Sequence, residues 1–333
     1  MSSAPLRSLR SPPATAEAAP AASAVAPPGS SAVARPSPPG WKVWTRLWTV
    51  YLVWGSTYLA IRVMVETVPP LLGAGLRFVA AGLLMLGVLA LRRGAAALRV
   101  DRATLLGAGL IGLLLPGANA VVSVAEQEVP SGLAALLIAS IPLWVVLLRR
   151  LAGERVSRAG VGAVLLGFAG VALLLRPGPQ SGGAGVVGLL TCVAAAMMWA
   201  SGSFASPRVP LPRDPLISTG WQMLLGGAIC SLAGFLAGEG GDVHFAELSV
   251  RSLVALAYLI AIGSCVAFTA YAWLLQNAPL GKVATYAYVN PVVAIVLGWL
   301  VLGEVITPVT VAGAAVIVAA VALVVRSEAP RRS

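Results

Sequence analysis

Ten long apolar runs divide residues 47–325, and they restrict the possible folds more than any other feature of this sequence. Each run is 17 to 24 residues long, and about 20 apolar residues in a helix cross a bilayer. Lipid offers no partner to a free backbone group, so each run is expected to be a helix. A transmembrane barrel is excluded, because its strands would be about 10 residues long with alternating polarity. The predicted spans are 47–65, 71–91, 103–124, 133–151, 159–175, 184–204, 216–237, 252–275, 282–302 and 308–325.

The composition and the charge distribution indicate an integral membrane protein. Hydrophobic residues make up 58% of the 333 residues and charged residues only 11%, whereas soluble domains carry about 25% charged residues. The net charge of +11 could indicate a nucleic-acid partner, but ten spans with a cytoplasmic N-terminus place 19 of the 23 basic residues on the inner side. The positive-inside rule therefore predicts a protein of the cell inner membrane with both termini in the cytoplasm, and no nucleic-acid partner.

The two ends of the chain and its cysteines give few further signals. Residues 1–40 are rich in Ala, Pro and Ser, a composition that predicts a disordered cytoplasmic tail, and residues 327–333 form a second predicted tail. Cys192, Cys230 and Cys265 lie within predicted spans and lack the spacing of metal ligands. We therefore expect no disulfide, no metal site and no cofactor.

The two halves of the chain repeat each other. WGS at 54–56 recurs as WAS at 199–201, and GLRF at 75–78 aligns with GWQM at 220–223, both at an offset of 145. Further along, GE at 153–154 matches GE at 303–304, and VALLLR ending at Arg176 matches VALVVR ending at Arg326, now at an offset of 150. Loop insertions produce such growing offsets. The chain is therefore predicted to contain two five-helix repeats, at 41–176 and 184–326.

An odd number of helices in each repeat means that the two copies enter the membrane from opposite sides. The predicted fold class is thus an all-α integral membrane protein with ten transmembrane helices, arranged as two inverted five-helix repeats. Inverted repeats recur among secondary transporters, in which the substrate site lies near the midplane where the repeats meet.

The motifs in both halves resemble those of one known family. Similarity to the EamA family of the drug/metabolite transporter superfamily is carried by WGSTYLAIRV, PP and GLRF in the first two spans, by VPSGLAALLIASIPLWVVLL and GERVS in the fourth and fifth, and by APLGKVATYAYVNPVVAIVLGWLVLGEVIT in the second half. The resemblance covers residues 43–326. It implies a ten-helix inner-membrane carrier, often an exporter of amino acids, other metabolites or toxic compounds, that works by alternating access. It implies no particular substrate.

Arg77 is the charged residue best placed to act on a solute. It lies six residues into its predicted span, about 9 Å along a helix, where an ionised side chain costs on the order of 3 kcal/mol. Its forked donors suit a carboxylate or another anion. Gln222 is its counterpart in the second repeat, so the two side chains could line one cavity. Alternatively, Arg77 caps backbone carbonyls at the helix corner or pairs with Glu66. Arg62 is expected to reach the lipid head groups.

Other polar and aromatic residues within the spans are candidates for the same site. Trp54 and Tyr58 share a helix face, and small hydroxyl groups beside aromatic rings suit a pocket for an amphipathic solute. The same residue types also pack and bond between transmembrane helices, and that alternative stays open. The predicted substrate-binding residues are Trp54, Ser56, Thr57, Tyr58, Arg77, Asn119, Trp199, Ser203, Gln222, Tyr271, Tyr288 and Asn290.

Two prolines occupy matching places in the two halves. Pro142 lies in the fourth span and Pro291 in the ninth, at an offset of 149. A proline inside a helix removes a backbone hydrogen bond, and matched broken helices indicate a binding site or a hinge in transporters. Both prolines are therefore predicted hinge residues.

The carboxylates are absent from the middle of the spans. Glu126 and Glu304 lie at helix ends or in outer loops, and the single histidine, His244, lies in an outer loop. Proton-coupled carriers usually hold the proton on an intramembrane Asp, Glu or His. We therefore expect facilitated diffusion in preference to direct proton coupling, unless Glu126 or Glu304 acts from a water-filled vestibule.

Rival functions find little support in the motifs. GAGLIG at 107–112 fits a dinucleotide pattern but lies inside a predicted span, so we interpret it as helix packing. GEGGD at 238–242 lies in a polar loop, and no histidine lies in a span to activate a serine. The sequence predicts a secondary transporter, and not an enzyme, that exports small metabolites, amino acids or drug-like compounds. A channel-like permease and an intramembrane enzyme are the alternatives. A small-molecule substrate and membrane lipid are the expected partners, and a homodimer is a candidate assembly.

Overall fold

Every regular element in the described part of the chain is helical. The computed structural model describes residues 39–176, 178–244 and 246–327, so the predicted disorder of the N-terminal tail and the predicted tail residues 328–333 lie outside the described residues. The α-helices are α1 Gly40–Met64, α2 Pro70–Arg93, α3 Arg102–Ala125, α4 Ser131–Ile138, α5 Ile141–Leu151, α6 Arg158–Leu174, α7 Val186–Ala205, α8 Pro215–Leu236, α9 Val250–Tyr258, α10 Ala267–Asn277, α11 Leu280–Val283, α12 Tyr286–Leu302 and α13 Pro308–Ser327.

Most of these helices are suited to a bilayer. Seven helical segments in the described ranges are long and apolar enough to cross a membrane, and two further apolar helices, Arg158–Leu174 and Tyr286–Leu302, are shorter. The prediction of an all-helical, multi-pass membrane protein is confirmed for the part of the chain that the structure describes. The count of ten spans and their inverted arrangement stay predictions. The seven segments are Pro70–Arg93, Arg102–Ala125, Ser131–Leu151, Val186–Arg208, Pro215–Leu236, Val250–Asn277 and Pro308–Arg326.

The first helix begins earlier than its apolar run. It starts at Gly40, and its first turns carry Trp41, Trp44 and Trp48, which are 49–66% exposed. The Nζ atom of Lys282 lies 4.2 Å from the ring centroid of Trp44. Tryptophan beside lysine is typical of the interface between lipid and water. The start of α1 therefore suits the edge of the membrane.

Three of the predicted spans are not regular α-helices. The fourth is interrupted at residues 139–140, between α4 and α5, and the ninth is interrupted at residues 284–285, between α11 and α12. In the eighth, the π-helix Leu259–Val266 joins α9 to α10. π-helical turns within longer helices occur frequently at functional sites.

Small residues let three long helices approach closely. A Cβ atom on Gly112 of α3 would lie 2.5 Å from the carbonyl oxygen of Gln222 in α8, and one on Gly82 of α2 would lie 2.6 Å from the backbone nitrogen of Leu224. Such contacts between backbones are characteristic of small residues in membrane helices. The interpretation of GAGLIG as a packing motif is confirmed at Gly112.

Candidate functional site

A cavity of about 110 Å³ lies where helices from both predicted repeats meet. We call it the central cavity. Its walls come from α1, α2, α3, the junction of α4 and α5, α7, α10 and α12. Nine of the fourteen predicted binding and hinge residues line it: Trp54, Thr57, Tyr58, Arg77, Asn119, Pro142, Trp199, Asn290 and Pro291.

One face of α1 forms a continuous part of the wall. Trp54, Thr57, Tyr58 and Ile61 all line the cavity, and their spacing of three, four and seven residues is that of a single helix face. The predicted common face of Trp54 and Tyr58 is confirmed. Thr57 Oγ1 donates a hydrogen bond to the carbonyl oxygen of Trp54 at 2.6 Å, so this hydroxyl is held within its own helix.

An aromatic cluster closes one side of the cavity. The ring centroid of Trp54 lies 5.0–5.2 Å from those of Phe268, Tyr271 and Tyr286, and the rings of Tyr271 and Tyr286 lie 5.7 Å apart. Aromatic pairs at these distances stabilise one another beyond their buried area. The cluster therefore provides an aromatic wall built from α1, α10 and α12.

Arg77 brings a positive charge into this largely apolar space. Its side chain is 3% exposed, its Nε donates a hydrogen bond to Ser264 Oγ at 3.1 Å, and its guanidinium carbon lies 4.6 Å from the ring centroid of Phe78. Glu66 pairs with Arg251 at 3.6 Å, and within the described ranges Arg77 makes no ion pair. The predicted alternative of an Arg77–Glu66 pair is therefore wrong. A buried guanidinium on a cavity wall is suited to binding an anion.

Two amides add polar atoms to the wall. Asn290 is 8% exposed. When its amide nitrogen faces the neighbouring main chain, Nδ2 donates to the backbone carbonyl oxygens of Tyr286 and Tyr51 at 3.2 Å each. Asn119 Nδ2 donates to the carbonyl oxygen of Leu115 at 3.3 Å. Asn290 thus joins α12 to α1, whereas the bond of Asn119 stays within α3.

Five of the predicted residues do not line the central cavity: Ser56, Ser203, Gln222, Tyr271 and Tyr288. Ser56 Oγ lies 2.6 Å from the hydroxyl of Tyr258 and links α1 to α9. Gln222 donates to Ser218 Oγ at 2.8 Å and lines a smaller pocket. That pocket shares Asn119, Trp199 and Phe268 with the central cavity. Arg77 and Gln222 therefore do not face one common space.

The remaining three residues have other surroundings. Ser203 is exposed, and its hydroxyl donates to the backbone carbonyl oxygen of Trp199 in the same helix. Tyr271 lies behind Trp54 in the aromatic cluster. Tyr288 packs beside the core around Leu143 and Ala163. None of these three side chains forms part of the central cavity wall.

The two prolines differ in their local structure. Pro142 follows the break between α4 and α5 at residues 139–140, as a helix-breaking residue should. Pro291 instead lies inside the continuous helix α12, and the break in that span lies before Tyr286. Both prolines line the central cavity. Their role as hinges stays a prediction.

The predicted set of binding residues does not include Phe268, Tyr286 and Ser264. The two rings belong to the cavity wall, and Ser264 accepts the hydrogen bond from Arg77. Ser264 lies in the π-helix Leu259–Val266, and the pair Gly263–Ser264 in an apolar span was the one local signal for an irregular turn. Phe268 and Tyr286 carry no such signal, because their contact with Trp54 depends on tertiary packing.

At one end of the bundle, a carboxylate from the turn between α12 and α13 binds the start of α4. Glu304 accepts hydrogen bonds from the backbone N–H groups of Ser131 at 2.6 Å and Gly132 at 3.0 Å, at the start of α4. We call this arrangement the Glu304 cap. A Cβ atom on Gly298 would overlap both Glu304 and the Ser131 hydroxyl. A negative charge at a helix N-terminus is stabilising, so the cap ties α4 to the end of α12.

Arg62 and Glu126 lie near the Glu304 cap. Glu126 follows the last residue of α3 and is 0% exposed. Arg62 donates to the backbone carbonyl oxygen of Glu126, a contact that the sequence did not predict, and its expected reach to lipid head groups stays a prediction. An arginine that finds a buried carbonyl acceptor has less need of solvent. Glu126 does lie at a helix end, as predicted.

The opposite end of the bundle carries the repeat-equivalent glutamate in different surroundings. Glu154 pairs with Arg149, whose Nε lies 2.7 Å from Oε2, and with Arg208. We call these three residues the Glu154 cluster. Their side chains are 31–45% exposed. The hydrogen bond from Arg149 holds the pKa of Glu154 below its ordinary value.

Comparison with known proteins matches both the sequence and the fold. YedA of Escherichia coli (strain K12), named as an uncharacterized inner membrane transporter, is 39% identical over 281 residues, which cover 84% of this chain and 89% of YedA. A probable amino-acid metabolite efflux pump of Salmonella typhimurium (strain LT2) is 27% identical over 279 residues, covering 81% and 90%. A solved crystal structure, 24% identical, superposes with a TM-score of 0.58 over 85% of this chain and 96% of its own, and supports the fold alone.

Apolar helices around a cavity with a buried cation place the chain in the class of multi-pass membrane proteins that handle solutes. The chain belongs to the EamA-like transporter family, whose family model matches it twice, at residues 47–176 and 186–326. The resemblance inferred from the motifs is confirmed.

Proposed function

We propose that this protein is a secondary transporter that exports small amphipathic solutes across the cell inner membrane by alternating access. In this proposal ten helices form two inverted repeats, and both termini are cytoplasmic. The central cavity is the observation that carries the proposal, because residues of both sequence halves line it around the buried Arg77. Solute sites of such carriers lie between their repeats. Export is supported by the name of one relative, a probable amino-acid metabolite efflux pump.

The proposed orientation assigns a side to each end of the bundle. Arg92, Arg93, Arg149 and Arg208 belong to the end that carries the Glu154 cluster, and the positive-inside rule places that end in the cytoplasm. The Glu304 cap then lies on the outer side. In this conformation the start of α4 is tied to α12 there, and we call this contact the outer barrier.

The cavity chemistry favours an anionic solute with an apolar ring or branched chain. The Arg77 guanidinium can donate to a carboxylate with two parallel hydrogen bonds. Trp54, Phe268 and Tyr286 offer flat surfaces on which an aromatic ring can stack. We therefore propose aromatic carboxylates and related amino acids as the substrate class.

The test uses reconstituted full-length protein and three probes that share a phenyl ring. They are 3-phenylpropionate, an anion, L-phenylalanine, a zwitterion, and phenethylamine, a cation. Hydrogen bonds to charged groups contribute about 1.5–3 kcal/mol, so Arg77→Ala should raise KM for the anion roughly 10- to 100-fold. Arg77→Lys keeps the positive charge but loses the two parallel donors of the guanidinium, so its KM for the anion should lie between those of the wild type and Arg77→Ala. Transport of phenethylamine should not weaken in either variant.

Arg251→Ala is the matched control, because this arginine is exposed and lies outside the cavity. It should leave KM for all three probes unchanged. An unaltered KM for 3-phenylpropionate in a properly inserted Arg77→Ala protein would reject the proposed anion site. Counterflow separates a carrier from a channel: unlabelled solute preloaded in the vesicles should transiently accelerate uptake of the labelled solute, and a channel would show no such acceleration.

A further inference from the structure

Glu126 is a buried carboxyl group with no hydrogen-bond partner for its side chain. It is 0% exposed, and within the described ranges neither Oε1 nor Oε2 has a partner. The Ser131 hydroxyl, at the start of α4, is also buried and unpartnered. An ionised carboxylate in such a place is costly, since burial without a partner penalises the charged form. A neutral carboxyl group avoids most of that cost.

The titratable and charged groups around Glu126 belong to α1, α2, α7 and the turn after α12. Two positive charges, those of Arg62 and Arg77, favour its ionised form, and the Arg62 guanidinium donates a hydrogen bond to the Glu126 backbone carbonyl oxygen. The negative charge of Glu304, which itself binds the start of α4, opposes ionisation. Burial first, and Glu304 second, raise the pKa of Glu126 well above its ordinary value. The facing titratable and charged groups are Tyr58 and Arg62 of α1, Arg77 of α2, Cys192 of α7 and Glu304.

We propose that Glu126 is a proton-binding site whose occupancy holds the outer barrier closed. The closed barrier buries Glu126 beside the Glu304 cap and so favours the neutral acid. Separation of α4 from α12 admits water to the carboxyl group, which then releases its proton to that water and remains as the carboxylate. The opening of this barrier, and the naming of its side as the outer one, rest on the proposed function.

The direction of the pH dependence follows from this linkage. The pKa of Glu126 is raised in the closed state and close to the ordinary glutamate value of about 4.3 once water reaches it. Protonation therefore stabilises the closed state fully below the open-state pKa, and this stabilisation is lost as the pH rises through the closed-state pKa. Between those two pKa values, the equilibrium constant for opening grows by up to roughly tenfold for each pH unit.

Hydrogen–deuterium exchange tests the proposal without any substrate. The full-length protein is placed in lipid nanodiscs, and exchange is followed in peptides covering residues 127–137, whose N–H groups at Ser131 and Gly132 are protected by the Glu304 cap. Rates are corrected for the intrinsic pH dependence with an unfolded reference peptide. Protection in the wild type should fall at least tenfold between about pH 5 and pH 9.

Two variants test whether Glu126 is the group that causes this pH dependence. Glu126→Gln imitates the neutral acid, so protection should be high and independent of pH. Glu128→Gln, two residues away and exposed, should retain the pH dependence of the wild type. A wild type with constant protection across this range overturns the proposal, and so does a Glu126→Gln protein that behaves like the wild type. Because no solute takes part, failure here is distinct from failure of the anion-transport test.

Discussion

The two ends of the bundle carry the same two-residue sequence but use it differently. Gly303–Glu304 and Gly153–Glu154 match in the repeat alignment, and both glycines adopt positive φ, +66° and +82°. Glu304 accepts two backbone hydrogen bonds across the bundle. Glu154 instead binds two arginines that are partly exposed to solvent.

This difference indicates which end of the bundle is more strongly restrained. A carboxylate that satisfies the N–H groups at the start of a packed helix restrains that helix directly. Ion pairs near solvent contribute little, because water and salt compete for both partners. Equal sequence at the two ends therefore coexists with unequal restraint, as the proposed alternating access would require of any single conformation.

The largest effect should come from removing the Glu304 carboxylate. Glu304→Ala frees two N–H groups, each bonded to a charged acceptor, and should destabilise the protein by about 1.5–3 kcal/mol for each bond lost. Intrinsic fluorescence of the 9 tryptophans in a thermal scan should show an apparent Tm several degrees below the wild type. Glu154→Ala should shift the Tm far less. Equal Tm shifts for the two variants would mean that the two glutamates restrain their ends of the bundle equally.

A smaller effect should follow from crowding the Glu304 cap without touching its charge. A Cβ atom at Gly298 would overlap Glu304 and the Ser131 hydroxyl, so Gly298→Ala should cost about 1–3 kcal/mol through displacement. Hydrogen exchange at residues 131–132 should rise in this variant. Gly87→Ala is the control, since a Cβ atom there meets nothing within 4 Å. If both alanines leave exchange unchanged, the cap tolerates displacement and its restraint is weaker than its geometry suggests.

Local spacing was enough to predict part of the cavity. The positions of Trp54 and Tyr58 on one helix face follow from the helical period, and the cost of a charge within a span drew attention to Arg77. Both residues line the central cavity. Spacing alone, however, does not predict the partner of a hydroxyl group. The hydroxyl of Ser56 contacts that of Tyr258 and does not line the cavity.

Tertiary packing decides the features that the sequence did not reveal. The sequence predicts Glu126 at a helix end or in an outer loop, and neighbouring helices bury it completely. Tyr286 reaches the cavity wall because the interruption at residues 284–285 restarts the helix there. A residue at a helix end can thus be more deeply buried than one in the middle of a span, and hydropathy does not record this difference.

The smallest predicted effect is a pH-dependent coupling within the Glu154 cluster. The Arg149 hydrogen bond lowers the pKa of Glu154, so the contribution of the ion pairs is present above the ordinary value of about 4.3 and is lost as the pH falls through the lowered pKa. Thermal scans of Glu154→Gln, Arg208→Ala and the double variant should show non-additive Tm shifts at neutral pH. The shifts should become additive in acid and in about 1 M salt, where screening acts over about 3 Å. Additive shifts at neutral pH would mean that Arg208 does not stabilise Glu154. The Glu154 end would then be restrained even less than the comparison assumes, and the asymmetry between the two ends would widen.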